Sequence, residues 1–210
     1  MEAVRPAYPL PAGQPTQSGP RDIRFDFNLG CRVLLPHRAE GLWRVCLRDL
    51  DTGNILFQSE NKGAFVNSAK RWFARFRIEI RSIDEDVAVE PRAVLSHDHD
   101  AGGHDVLIQF PVGTLGDILA WFPYAARFAK RHPGCRVTCA LSSLIIPLLR
   151  DTYPGLRLVT HEEVVERKLA ETMYATYSLG LFFDDAACDW QPTNFRHVGL
   201  HRTAALHPGR

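Results

Sequence analysis

Between Val106 and Phe110 an apolar run of strand length meets the turn Pro111-Val112-Gly113-Thr114-Leu115-Gly116, and a helix-spaced pattern starts at once from Asp117. A strand that passes through a glycine-bearing turn into a helix is how a doubly wound α/β sheet opens. Such sheets take their ligands beyond the carboxyl ends of the strands. The same rhythm continues with strand 136–141, a helix from Ser142 to Tyr153 stopped by Pro154-Gly155, strand 156–160, a helix from Glu162 to Thr172 and a strand from Ala175 to Phe183. Four such units predict a parallel sheet with right-handed crossovers. In the first helix Leu115, Ile118, Leu119, Phe122, Ala126 and Ala129 fall on one face, and Pro123 predicts a kink. No closing strand follows between Trp190 and Ala204. Residues 106–204 therefore read as an incomplete Rossmann-like domain, with a divergent tail at 205–210.

Upstream the period is two. Ile23-Arg24-Phe25-Asp26-Phe27 alternates, Asn28-Leu29-Gly30 turns, and Cys31–Leu35 returns. Leu42–Leu47 leads through the cluster Asp49–Asn54 to Ile55–Phe57, and a long strand is expected from Trp72 to Ile80 with Phe76, Ile78 and Ile80 on one face. Residues 21–96 are thus expected to form a small antiparallel β domain, a sandwich or barrel. Residues 1–20 carry five prolines and few apolar anchors, the composition of a disordered leader. The polar segment 97–105 reads as a linker.

The formal net charge is +1, so neither nucleic acid nor an anionic membrane is expected as a partner. No apolar run approaches the roughly 20 residues of a membrane helix. Met1-Glu2-Ala3-Val4-Arg5-Pro6 has neither the basic start nor the apolar block of a signal peptide. Five scattered cysteines fit a reducing cytoplasm better than a disulfide framework. His97, Asp98, His99, Asp100, His104 and Asp105 are metal-compatible types, but alternating residues of an extended segment point apart, and no metal site is expected. Cys135 and Cys139 lie roughly 13 Å apart along a strand at about 3.3 Å per residue, too far to share a metal. Lys70–Arg77 interleaves basic and aromatic residues, as single-strand binders do. The same alternation describes a half-buried strand with a charged outer face.

Asp117 is the candidate for chemistry. Thr114 and Asp117 match a capping box, which needs no function. A carboxylate at the mouth of the sheet also accepts a proton from an alcohol within hydrogen-bond reach. The turn is neither a dinucleotide fingerprint nor a P-loop, and an acid in the first helical turn competes with phosphate for the exposed N–H groups. His197, His201 and Arg202 follow the fourth strand, on the ligand-binding edge, as contacts to an acceptor or a sugar phosphate. Asp184 and Asp185 end that strand.

The stretch Gly116-Asp117-Ile118-Leu119-Ala120-Trp121-Phe122-Pro123 resembles the G-D-x-L-x-x-x-P signature of the heptosyltransferases, glycosyltransferase family 9. Over 106–124, 178–185, 195–203 and the β-rich segment with Asp51–Leu56 and Arg75–Ile78, the chain is similar to the autotransporter O-heptosyltransferases. The resemblance covers about residues 22 to 204. It implies the N-terminal half of a two-Rossmann (GT-B) fold, and transfer of heptose from ADP-heptose to Ser or Thr hydroxyls of an autotransporter adhesin in the cytoplasm. It further implies Asp117 as general base. Gly113, Thr114, Gly116, His197, His201 and Arg202 are read as substrate-binding positions. A homo-oligomer and a structural iron held by cysteines of a second half are also implied. The donor site and the iron belong to that second half, so the chain alone is expected to be inactive. The alternative is a non-catalytic module that binds the acceptor or assembles the oligomer.

Overall fold

The period-two segments form strands, but they divide between two sheets. The computed structural model describes residues 8–68, 74–84, 90–112 and 115–180. Its strands are β1 (Gln17–Ser18), β2 (Arg24–Asn28), β3 (Arg32–Leu35), β4 (Leu42–Asp49), β5 (Ile55–Asn61), β6 (Ala64–Asn67), β7 (Phe76–Ile83), β8 (Arg92–Asp98), β9 (Asp105–Gln109), β10 (Arg136–Leu141), β11 (Arg157–Thr160) and β12 (Ala175–Ser178). Helix α1 spans Leu115–Arg131, α2 Ile146–Arg150 and α3 His161–Glu166.

β5-β4-β7-β8 is a four-stranded antiparallel sheet. The parallel strands run in the order β11-β10-β9-β12, the expected α/β arrangement, and β2-β3-β6 continue the same sheet beyond β12. β2 is parallel to β12, with Ala175 opposite Phe27 and Thr176 opposite Asn28. The position beside the fourth α/β strand is therefore filled from the amino-terminal side of the chain. Part of the β-rich region expected as a separate sandwich belongs to the mixed sheet instead. Strand periodicity identifies which residues point inward but not which sheet a strand joins.

A shared core explains the division. Phe25 and Phe27 of β2 face Phe76, Ile78 and Ile80 of β7, all buried, and the rings of Phe27 and Phe76 stack at 6.2 Å. The opposite face of β7 is polar, with Arg77 bonded to both oxygens of Asp98 at 2.6 and 2.8 Å. Arg75 pairs with Asp51 at 2.9 Å, so both described basic residues of the Lys70–Arg77 stretch are held in ion pairs, and residues 69–73 lie outside the described residues.

Two expectations for irregular segments are corrected. The leader expected at 1–20 is anchored over its described part. β1 pairs with β2, Thr16 donates its hydroxyl to the Met173 carbonyl at 2.8 Å, and the Ala12 carbonyl accepts from Arg32 at 2.7 Å. Proline and glycine remove apolar anchors from a segment without preventing side chains elsewhere from bonding its carbonyls. The linker expected at 97–105 starts inside β8 and ends inside β9. Its histidines point into the protein, where His97 and His99 meet the hydroxyls of Tyr174 and Tyr177 at 3.1 and 2.9 Å. Asp98 and Asp105 instead take Arg77 and Arg136 on the surface.

The helices are shorter than their patterns. α2 covers five residues of the twelve expected, and the run after α3 breaks at Lys168, whose φ of 51° is left-handed. α1 continues through Pro123, but its buried residues are Ile118, Phe122, Ala125 and Phe128. Leu115 and Leu119, expected on that face, are 47% and 43% exposed. Phe128 outweighs Ala126 and Ala129 in buried area, so the helix is rotated toward it. The last strand, expected to reach Phe183, ends at Ser178, Leu179 and Gly180 being outside it, and residues 181–183 lie outside the described residues.

Buried polar groups generate two stability predictions. Asp26 is fully buried and accepts from Arg32, Asn28 and the Thr16 N–H. Asp26→Ala leaves the Arg32 guanidinium without its partner and is expected to destabilise the fold by about 3–5 kcal/mol, measured by urea unfolding. His99 is 4% exposed, and burial, aided by His132, depresses its pKa to about 3. The unfolded chain then binds the extra proton between the ordinary histidine value, about 6.5, and about 3, so stability falls as pH drops through that window. His99→Gln is expected to flatten this slope in a series of melting temperatures taken from pH 7 to pH 4.

Candidate active site

The parallel sheet reverses its strand order between β9 and β12, so the crevice forms where these two strands end. β9 leaves through Phe110 and Pro111, both buried, and the chain emerges at Val112, 42% exposed. β12 leaves through Gly180, whose φ is +127° and where a Cβ would stand 2.8 Å from the Pro111 ring. Only glycine combines that backbone with that approach, so the two strand exits are held together.

Asp117 lies exposed in the first turn of α1, at this same edge. Gly116 beside it has open space where a Cβ would be. Gly113 and Thr114 lie outside the described residues, and so do His197, His201, Arg202, Asp184 and Asp185. Of the residues expected at the site, the structure places Asp117 and Gly116 at one edge. A capping box does occur, at α3, where the Thr160 hydroxyl accepts from the Glu163 N–H at 3.1 Å and the Glu163 carboxylate accepts from the Thr160 N–H at 2.9 Å.

Three residues at this edge escaped the sequence reading. Gln109, the last residue of β9, is 2% exposed and donates from Nε2 to the Pro9 carbonyl at 2.8 Å. The Tyr8 hydroxyl accepts from the Val112 N–H at 2.8 Å. The Tyr8 ring meets His161, the first residue of α3, edge-on at 5.4 Å between centroids. His161 is 3% exposed. Burial pushes its pKa down, against a rise from the Phe110 carbonyl and the Glu162 carboxylate, so the imidazole is held toward its neutral form. Gln109 Oε1 and His161 Nε2 are buried with no hydrogen-bond partner among the described residues. A lone glutamine in the otherwise apolar run 106–110 was the one signal that pointed here.

The edge offers a carboxylate and neutral hydrogen-bonding groups, a set suited to proton transfer from a hydroxyl and to holding a polar ligand. Among the described residues no three histidine, cysteine, aspartate or glutamate side chains cluster for a metal. The described cysteines are also kept as thiols. Burial raises the pKa values of Cys31 and Cys139, and that of Cys135 to about 12. No helix among the described residues is long and apolar enough to cross a membrane.

Comparison with known proteins gives a consistent picture. Residues 19–84 match the family model of the glycosyltransferase TibC N-terminal domain. An autotransporter heptosyltransferase of Citrobacter rodentium, BAHTCr, is 45% identical over 90% of this chain, which spans 43% of that relative. TibC of Escherichia coli O78:H11 is 44% identical over 92% of the chain and 44% of its own length. BimC of Burkholderia thailandensis, described as an inactive autotransporter heptosyltransferase, is 44% identical over 93% of the chain. The chain therefore spans under half the length of these relatives. The crystal structure of TibC, an iron-containing dodecamer, superposes with a TM-score of 0.70 at 43% identity, over 83% of this chain and 42% of that one. A second TibC structure, in complex with ADP-D-beta-D-heptose, gives 0.70 at 36% identity over 92% of this chain and 49% of that one. Residues 19–84 are thus similar to the TibC N-terminal domain, and over most of its length this chain is similar to autotransporter heptosyltransferases of which it spans under half.

Proposed function

We propose that this chain is the acceptor-side part of a protein O-heptosyltransferase of GT-B architecture, working in the cytoplasm on an autotransporter adhesin. One observation carries the reading: Asp117 stands exposed in the first helical turn after the central strand, at the edge where the strand order reverses. There its carboxylate takes the proton of a Ser or Thr hydroxyl. The oxygen forms a bond to the anomeric carbon of the heptose, the bond from that carbon to the diphosphate breaks, and ADP leaves with the electron pair. Gly113, Thr114 and Gly116 shape the turn, and His197, His201 and Arg202 contact acceptor or sugar phosphate. The nucleotide sugar and the iron belong to a second half, because the turn before α1 lacks a phosphate-binding fingerprint. The dodecameric state of TibC supports a homo-oligomer here.

A second reading is a non-catalytic module that binds acceptor or partner subunits; one relative, 44% identical, is described as inactive. The two readings separate on one substitution. In the chain combined with a second half, Asp117→Asn is expected to lower heptose transfer by roughly 10²–10⁴-fold, with acceptor affinity within about twofold of the parent. Transfer at a near-normal rate would remove Asp117 as the base. Calorimetry of the 210-residue chain alone with ADP-heptose is expected to show no binding. Measurable heat of binding would place the donor site within these residues.

A further inference from the structure

The segment Tyr8–Pro9 sits on the candidate site in the manner of a bound peptide. Its contacts are those by which proteins hold an extended chain: a side-chain amide donates to a backbone carbonyl, Gln109 Nε2 to Pro9 O at 2.8 Å. A backbone N–H donates to a side-chain hydroxyl, Val112 to Tyr8 at 2.8 Å, and an aromatic ring rests against His161. Farther along, Ala12 O accepts from Arg32 and Gln14 Oε1 accepts from Arg24, at 2.7 and 3.3 Å. Pro9 is buried, whereas Leu10 is 74% exposed.

The match is incomplete in one respect. A glutamine amide reads a peptide with both ends, donating to a carbonyl and accepting from an N–H. Here Nε2 is used and Oε1 is buried without a partner among the described residues. The residue against it is proline, which has no N–H to give. His161, whose ring meets that of Tyr8, likewise has its Nε2 buried without a partner among the described residues. Two buried polar atoms left unsatisfied mark a site shaped for an occupant that bonds more fully than the one it holds.

We propose that Gln109, the Val112 N–H and His161 form a peptide-binding subsite at the carboxyl edge of the parallel sheet, which Tyr8–Pro9 fills in cis and which an extended, Ser/Thr-bearing acceptor segment takes by displacing it. A non-proline residue opposite Gln109 supplies the missing N–H. An acceptor hydroxyl takes the place of the Tyr8 hydroxyl on Val112, at the start of the turn that leads to Asp117. The amino-terminal segment is thereby a built-in competitor, weaker by one hydrogen bond than the peptide it yields to. Naming the acceptor as occupant rests on the proposed function, whereas the subsite itself does not.

Peptide titration separates the two. A capped, fluorescein-labelled peptide of residues 8–14 is titrated by anisotropy into the chain lacking residues 1–14 and into the full chain. Binding is expected to the shortened chain and to be at least tenfold weaker to the full one. The Pro9→Ala peptide is expected to bind about fivefold tighter, the gain of one net hydrogen bond, and Gln109→Leu in the protein is expected to erase that difference. An unlabelled proline-free peptide rich in Ser and Thr is expected to displace the probe. Equal affinities of the parent and Pro9→Ala peptides, or equal binding to both chains, would overturn the subsite. Probe binding without displacement would overturn the acceptor as its occupant, independently of any transfer assay on Asp117. Should the shortened chain fail to melt cooperatively, Tyr8→Phe in the full chain serves instead. It is expected to raise affinity for the Ser/Thr peptide about fivefold, and unchanged affinity would overturn the proposal.

Discussion

The buried carboxylate of Asp26 is the point on which the rest of the molecule is assembled. It binds the Arg32 guanidinium through both oxygens at 2.8 and 2.6 Å, the Asn28 amide at 2.7 Å and the Thr16 N–H at 3.0 Å. Asn28 in turn donates to the Met173 carbonyl and accepts from the Thr176 hydroxyl at 2.9 and 2.7 Å. These bonds run across the seam between β2 and β12, two strands far apart in the chain. A parallel pair matched over only two residues brings few backbone bonds of its own. The polar network supplies direction and register that apolar burial, being non-directional, does not.

Tyr174 provides a second fixing point on the other side of the same seam. Its hydroxyl accepts from the Asp100 N–H at 3.0 Å and meets His97 at 3.1 Å. The His104 ring stacks on its ring at 4.2 Å. The β8–β9 connection is thus packed down onto the start of β12, so the antiparallel sheet and the mixed sheet share one core. Burial keeps His97 and His99 toward the neutral state, the form in which a ring nitrogen can accept from a tyrosine. Neutral imidazoles therefore act here as polar packing.

The fold was legible where pattern and geometry share a period. The strands over Val106–Gln109 and Arg136–Leu141 lie where their apolar runs put them, because fully buried parallel strands admit little else. What escaped was long-range. Ile23–Phe27 shows that a strand exists, but nothing local shows that it lies parallel to Ala175–Ser178. The amino-terminal segment misled for a related reason: its anchors are backbone carbonyls bonded by Arg32 and Gln109, and carbonyls carry no sequence signal. At the site, Asp117 was legible because it stands in a motif. Gln109 and His161 were not, since a single polar residue at a strand end has no period to betray it.

The carboxyl edge must meet two opposing demands. To hold Asp117 in place its strands have to end in a tight junction, and Gly180 against Pro111 provides one. To admit a substrate, the same edge has to leave donors and acceptors that the fold itself does not consume. An unsatisfied buried polar atom costs about 1–3 kcal/mol, so an edge bare of ligand is destabilised in proportion to its readiness to bind. Seating Tyr8 and Pro9 there offsets part of that cost, through two hydrogen bonds and a ring contact, while proline ensures that the offset is partial. A stronger amino-terminal segment would stabilise the fold further and close the site. A weaker one would leave Gln109 and His161 wholly unpaired. Proline at position 9 lies between those limits, which ties the stability of this edge to its capacity to exchange one peptide for another.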